Sequence, residues 1–130
     1  MALYGRHTWF EDYFPEIRRN DFRLLPAAYE LVRTISAAAG RSATISRFPL
    51  PADVIDRFMY APWNRPEAYL DPTFRANTSG FASADPDILK QRLSTLRNDI
   101  ESGAWDARYG NLRTATAFDA GYYFVALRTP

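Results

Sequence analysis

The residues most able to do chemistry in this chain sit together in a proline-rich stretch. Trp63, Tyr69 and Phe74 lie among Arg65 and Arg75 and are bracketed by Pro62, Pro66 and Pro72. Proline fixes φ and stiffens a loop, and functional side chains are disproportionately carried on loops held by a rigid scaffold. Aromatic walls with one or two fixed cations make an orienting pocket for a small anionic or polar ligand. The same residues admit a plainer role, in which the rings cap the core and Arg65 pairs with Glu67 or Asp71.

Other chemistries find less support. His7 is the single histidine, so neither a histidine metal site nor a conventional nucleophilic triad can be built on it. An exposed surface histidine is the simpler reading than a general base. Cysteine is absent, which removes disulfides and thiolate metal sites. The acidic pairs Asp53/Asp56 and Asp85/Asp87 read as helix-start acids before they read as a carboxylate dyad. Six glycines are present, and no two are separated by a single residue. A glycine-rich nucleotide loop is therefore missing, as is the acid that would bind a ribose after a second strand.

The elements that must position these residues fit one domain. The chain has 130 residues, 47% hydrophobic and 15% aromatic, enough to bury roughly two-thirds of its unfolded surface. Sixteen basic and 15 acidic residues give a net charge of +1 without a basic run, so no nucleic-acid partner is expected. The N-terminus lacks an apolar signal core and no stretch is apolar enough to span a bilayer, so no membrane association is expected and a cytoplasmic protein is the default.

Thr8 to Glu11 fits a capping box for a short helix with Trp9, Phe10 and Tyr13 that stops before Pro15. The stretch from Pro15 to Leu25 reads as a loop or a loose turn of helix. Pro26–Ala39 is a helix with Ala28, Leu31, Val32, Ile35 and Ala39 on one face and Gly40 as its stop. Ser42–Phe48 is a strand ended by Pro49 and Pro51. Ala52–Tyr60 carries a helical stripe of Val54, Ile55, Phe58 and Met59. Asp71-Pro72 opens a short helix with Phe74 inward, which Gly80 ends. Asp85-Pro86-Asp87 starts a helix to Ser102 with Leu89, Leu93, Leu96 and Ile100 buried, and Gly103 stops it. Trp105–Tyr109 is a helical turn closed by Gly110. Tyr122–Leu127 is apolar or aromatic throughout, the pattern of a strand covered on both faces.

The segment APWNRPEAYLDPTFR, followed by ESGAWDARYGNLR and FDAGYYFVAL, resembles the C-terminal part of S-adenosylmethionine (SAM) dependent, Rossmann-like small-molecule methyltransferases of the type 11-like group. Trp63, Arg65-Pro66, Glu67, Tyr69-Leu70, Asp71-Pro72, Arg75 and Ser79 match together. So do Trp105, Arg108, Gly110, Leu112, Asp119, Gly121 and Tyr122. The chain departs from the pattern at Val54, where relatives often have cysteine, and at Arg57, where glycine is expected. The resemblance covers essentially the whole chain and lacks the family's first five strands.

It implies an α+β fold that is mostly helical, with Thr44–Arg47 and Tyr122–Leu127 as the last two, antiparallel strands of the family's sheet and residues 52–118 as a helical cap inserted between them. Residues 1–130 form a single domain on this reading. Trp9, Trp63, Arg65, Tyr69 and Arg75 are the implied substrate-binding residues, with no general base assigned. SAM is the cofactor of the full-length family, and none is expected to bind this chain alone. The implied function is the substrate-side portion of a small-molecule methyltransferase, inactive without a SAM-binding half. A seventh strand lacking a neighbour predicts an exposed edge, open to a complementary SAM-binding chain or to a second copy. The competing reading is a stand-alone small-ligand-binding or protein-interaction module that uses the same pocket without chemistry.

Overall fold

Proline, acidic caps and glycine set most helix boundaries in this protein. A computed structural model describes residues 9–24 and 28–127. His7, Thr8 and Pro26, to which the sequence assigns a surface histidine, a cap and a helix start, lie outside the described residues. The elements run α1 (Trp9–Tyr13), α2 (Pro15–Leu24), α3 (Ala28–Ala39), β1 (Ala43–Arg47), β2 (Leu50–Pro51), a 3-10 turn (Pro66–Leu70), α4 (Pro72–Ala76), α5 (Ser79–Ala82), α6 (Pro86–Ser102), α7 (Ala104–Tyr109), a second 3-10 turn (Gly110–Thr114), β3 (Ala117–Phe118) and β4 (Tyr123–Leu127). This is the expected α+β architecture, mostly helical with an antiparallel strand pair. No helix among the described residues is long and apolar enough to cross a membrane.

The longest helix follows its local signals closely. The Asp85 carboxylate accepts from the amides of Asp87 and Ile88, both at 3.0 Å. Pro86 takes the first position and Gly103, at φ 80°, closes the helix in the left-handed conformation. Leu96 is fully buried, and Leu89, Leu93 and Ile100 pack against the core around it.

Three local expectations are corrected. Pro15–Leu24 is a regular ten-residue helix rather than a loop or a loose turn of helix. Its burial runs through Ile17 and through Arg18, which is only 3% exposed. The Arg18 Nε donates to Glu11 at 2.9 Å and its guanidinium lies 5.7 Å from the Tyr60 ring centre. A buried, paired arginine carries no apolar periodicity and so leaves no helical stripe to read. Conversely, Ala52–Tyr60 has the stripe but forms turns and no helix. Ile55 is 96% exposed, so one of the four stripe residues is left in solvent. Gly80 does not end α4, which stops at Ala76; it lies inside α5. A Cβ there would come within 2.3 Å of the Met59 Cε and 2.9 Å of the Ile17 Cγ2, so close packing is what selects glycine.

Aromatic rings make the core. Phe10 meets Phe14, Tyr60, Tyr69 and Phe81 at ring-centre distances of 5.0, 5.1, 5.5 and 6.0 Å. Trp9 stands edge-on to Tyr69 and to Trp105, each at 5.3 Å. Edge-to-face pairs of this kind add to the burial term. α1 supplies one side of this cluster, and the segments from Met59 to Phe81 and from Leu96 to Trp105 supply the other.

A two-stranded antiparallel ribbon leaves the core. β1 pairs with β4, from Ala43 opposite Leu127 to Arg47 opposite Tyr123, and β2 pairs with β3. The Phe48 amide continues the ladder by donating to the Tyr122 carbonyl at 2.8 Å. Gly121, at φ 81°, turns the strand between the two ladders, and its amide donates to Asp119 at 3.0 Å. The inner end is covered: Leu50 and Ala120 are buried, and Phe118 stacks on Trp63. The outer end is open. α3 packs on β1, with the Ala43 amide donating to Ser36 at 3.1 Å. Ile45, Phe124 and Leu127 remain 44%, 54% and 41% exposed. Among the described residues, β1 is the one strand beside β4, so the second edge of β4 is unpaired.

Candidate functional site

The segment from Pro51 to Arg65 combines turns with almost no regular structure and tight anchoring. Four side chains hold its backbone. The Trp9 indole donates to the Trp63 carbonyl at 2.9 Å, the Trp63 indole to the Pro51 carbonyl at 3.4 Å, and the Tyr69 hydroxyl to the Met59 carbonyl at 2.7 Å. The Arg65 Nη2 reaches the Val54 carbonyl at 3.3 Å. Buried backbone carbonyls need partners, and here aromatic tips supply them in place of a helix.

Behind this clamp lies a cleft of about 280 Å³, lined by Val54, Asp56, Arg57, Pro62, Arg65 and Phe74 among others. Arg65 and Arg57 are exposed at its mouth. Phe74 is buried beneath it and meets Tyr69 edge-on at 5.3 Å. Two arginines and two carboxylates, Asp56 and Asp71, over an apolar floor can orient a small ligand that carries strongly polar groups.

The five residues expected at the site are thus distributed. Trp9, Trp63 and Tyr69 come together, but in the core, at 1%, 2% and 1% exposure. They act on the cleft through the backbone they hold. Arg65 lines the cleft itself. Arg75 faces another cleft, between α4 and α6, and its Nη1 donates back to the Tyr69 carbonyl at 2.8 Å. Burial raises the Tyr69 phenol well above its ordinary pKa, with the neighbouring Tyr60 and Tyr122 adding to the effect. Tyr69 is accordingly a fixed donor and not a base.

A second polar cluster, which sequence reasoning missed, ties α1 to α6 and α7. The Tyr13 hydroxyl donates to Asp99 at 2.6 Å, and Arg108 bonds to both. Tyr109 donates to Asp12. Burial first, and the Asp12 hydrogen bond second, push the Tyr109 phenol up to about 12. These residues are scattered over 97 positions of sequence, and no local motif joins them.

No family model matches the chain, and no curated protein matches it. Among solved structures it is similar to a protein of Anabaena variabilis ATCC 29413 described as a "putative methyltransferase from antibiotic biosynthesis pathway". The two superpose with a TM-score of 0.90 at 33% sequence identity, over 96% of this chain and 50% of the other. The chain thus spans half the length of that protein, and over nearly all of its own length it has the methyltransferase-like fold seen there.

Proposed function

We propose that this chain is the substrate-side portion of a SAM-dependent methyltransferase acting on small molecules, working with a SAM-binding unit. What supports the reading is the 33% identity sustained over 96% of the chain. We infer that SAM is held by that other unit. The strands among the described residues pair only antiparallel, and the positive-φ glycines Gly40, Gly103 and Gly121 lie at two helix ends and in the ribbon rather than in a strand-to-helix loop.

The role left to this chain is to hold and orient the methyl acceptor. Arg65 and Arg57 provide cations at the cleft mouth, and Phe74 and Pro62 provide apolar lining. Fixing an acceptor in a productive pose is itself a large part of catalysis in a group transfer. Trp9, Trp63 and Tyr69 contribute by fixing the segment on which Arg65 stands. Arg75 faces the cleft on the other side of α4 and takes no part in this one. A SAM-binding unit that places a strand beside β4 would pair its open edge and cover Phe124 and Leu127.

The test is a fusion of this chain to the remaining half of the Anabaena protein, assayed for a SAM-dependent rise in Tm beside the chain alone. At about a hundred times Kd a ligand of the folded state adds about 2.7 kcal/mol. The fusion should show that rise and the chain alone should not. A fusion that unfolds cooperatively yet shows no response to SAM would overturn the reading.

A further inference from the structure

Three cations converge on the cleft between α4 and α6 without a carboxylate among them. Lys90, Ser94 and Arg97 recur at intervals of four and three residues and so share one side of α6. Arg75 faces them from α4. The cleft encloses about 470 Å³, with the half-buried Leu89 and Leu93 along its floor. Arg75, Lys90 and Arg97 make no ion pair among the described residues. By contrast, Arg92, Arg108 and Arg113 each hold a carboxylate.

Arg75 is fixed rather than free. Its bond to the Tyr69 carbonyl aims the guanidinium, and the group is half-buried. Burial lowers its pKa, Asp71 opposes that, and Arg97 adds to the lowering through like-charge repulsion. The Asp71 carboxylate is itself engaged, accepting from the Thr73 amide at 2.8 Å as the cap of α4. The fold therefore maintains a local excess of positive charge in an open cleft, which an anion would relieve.

We propose that this cleft binds a small organic anion. A phosphate or carboxylate head sits between Arg75, Lys90 and Arg97, the Ser94 hydroxyl donates to it, and a compact apolar body lies against Leu89 and Leu93. A guanidinium fork recognises such heads in a bidentate manner. The apolar floor distinguishes an organic anion from a simple ion. The proposal makes no use of the methyltransferase reading, so either can fail without the other.

Lys90 is the chain's single lysine, which supplies the probe. Reductive methylation of the full chain with ¹³C-formaldehyde gives one lysine resonance, to be followed during titration with inorganic phosphate, acetate and phenyl phosphate at constant ionic strength. The expected result is a saturable shift, with phenyl phosphate binding several-fold tighter than phosphate. Arg97→Gln should weaken binding about tenfold, the scale of one charge-assisted hydrogen bond. Arg33→Gln, on the exposed face of α3, should leave it unchanged. Arg97 makes no hydrogen bond among the described residues, and Ser94→Ala provides a second, milder variant with a smaller loss. Absence of saturation, or an equal loss in Arg33→Gln, overturns the proposal. It is equally overturned if a glutamate-rich peptide saturates the signal while none of the small anions does, because the cleft is then a protein-docking surface.

Discussion

The Trp9 indole N–H donates to the Trp63 carbonyl at 2.9 Å across 54 residues of sequence. This bond joins α1 to the irregular segment that carries Arg65. Trp9→Phe would keep a ring in the core but leave the buried carbonyl without its donor. An unsatisfied buried polar group costs about 1–3 kcal/mol, and the smaller ring adds to the loss. The urea midpoint should fall accordingly with an unchanged m-value. A loss below about 0.5 kcal/mol, within the range of an ordinary surface substitution, would show that the bond does not hold the segment.

Gly80 gives a second, sharper test of packing. In α5 an alanine gains helix propensity of about 1 kcal/mol over glycine. Its Cβ would nevertheless come within 2.3 Å of the Met59 Cε and 2.9 Å of the Ile17 Cγ2. Overpacking costs about 1–3 kcal/mol, so Gly80→Ala should be net destabilising. In a Met59→Ala background much of that cost should disappear, since the nearer atom is gone. Additivity of the two changes in a double-mutant cycle would contradict the contact.

These two positions also show what was legible in the sequence. Asp85-Pro86-Asp87 and Gly103 announced α6 because capping is local and needs only neighbours. The apolar stripe of residues 52–60 announced a helix that does not form. There the carbonyls of Pro51, Val54 and Met59 are taken by Trp63, Arg65 and Tyr69, and a propensity argument cannot see partners that arrive from elsewhere. For the same reason the sequence left Trp63 and Tyr69 open between pocket wall and core; both are core, with Trp9 beside them, and Arg65 lines the cleft. Whether an aromatic ring is a pocket wall or core depends on what packs over it.

Alkaline titration should separate the tyrosines. Burial first holds the phenols of Tyr13 and Tyr69 well above their ordinary pKa, and Tyr109 is pushed up to about 12. A folded pKa above the unfolded value near 10 means stabilisation that is complete below about pH 10 and is lost as pH rises towards 12. Of the eight tyrosines, these three should ionise only with unfolding, seen as a delayed absorbance step at 295 nm that coincides with loss of ellipticity. Tyr109→Phe should reduce that step. Ionisation of all eight near pH 10 in the folded protein would contradict the burial.

At the acid end Glu16 gives the opposite sign. Its hydrogen bond to Arg92 lowers its pKa more than burial raises it. The stabilisation is therefore present above the unfolded value of about 4.3 and is lost as pH falls through the folded one. Both side chains are about a third exposed, at 29% and 38%, which limits the pair to below about 1 kcal/mol after solvent screening. Arg92→Gln should cost that much at pH 7 and nothing near pH 2. A cost independent of pH would mean that Arg92 stabilises through packing alone.

The open edge of β4 makes the most consequential prediction. Phe124 is 54% exposed and touches Phe48 at a ring-centre distance of 4.7 Å, while the strand's second edge has no partner among the described residues. An apolar, unpaired edge is a template for another strand. The purified chain should therefore associate with itself at high concentration, as read by sedimentation velocity. Phe124→Lys should shift it towards monomer, because a charge on an edge strand disfavours pairing. Its own stability should fall only by the lost ring pair, about 0.5–1.5 kcal/mol. If wild type and variant are both monomeric at millimolar concentration, the edge does not recruit a second copy. If both associate equally, the contact lies elsewhere, and the edge is not the surface through which this chain meets a partner.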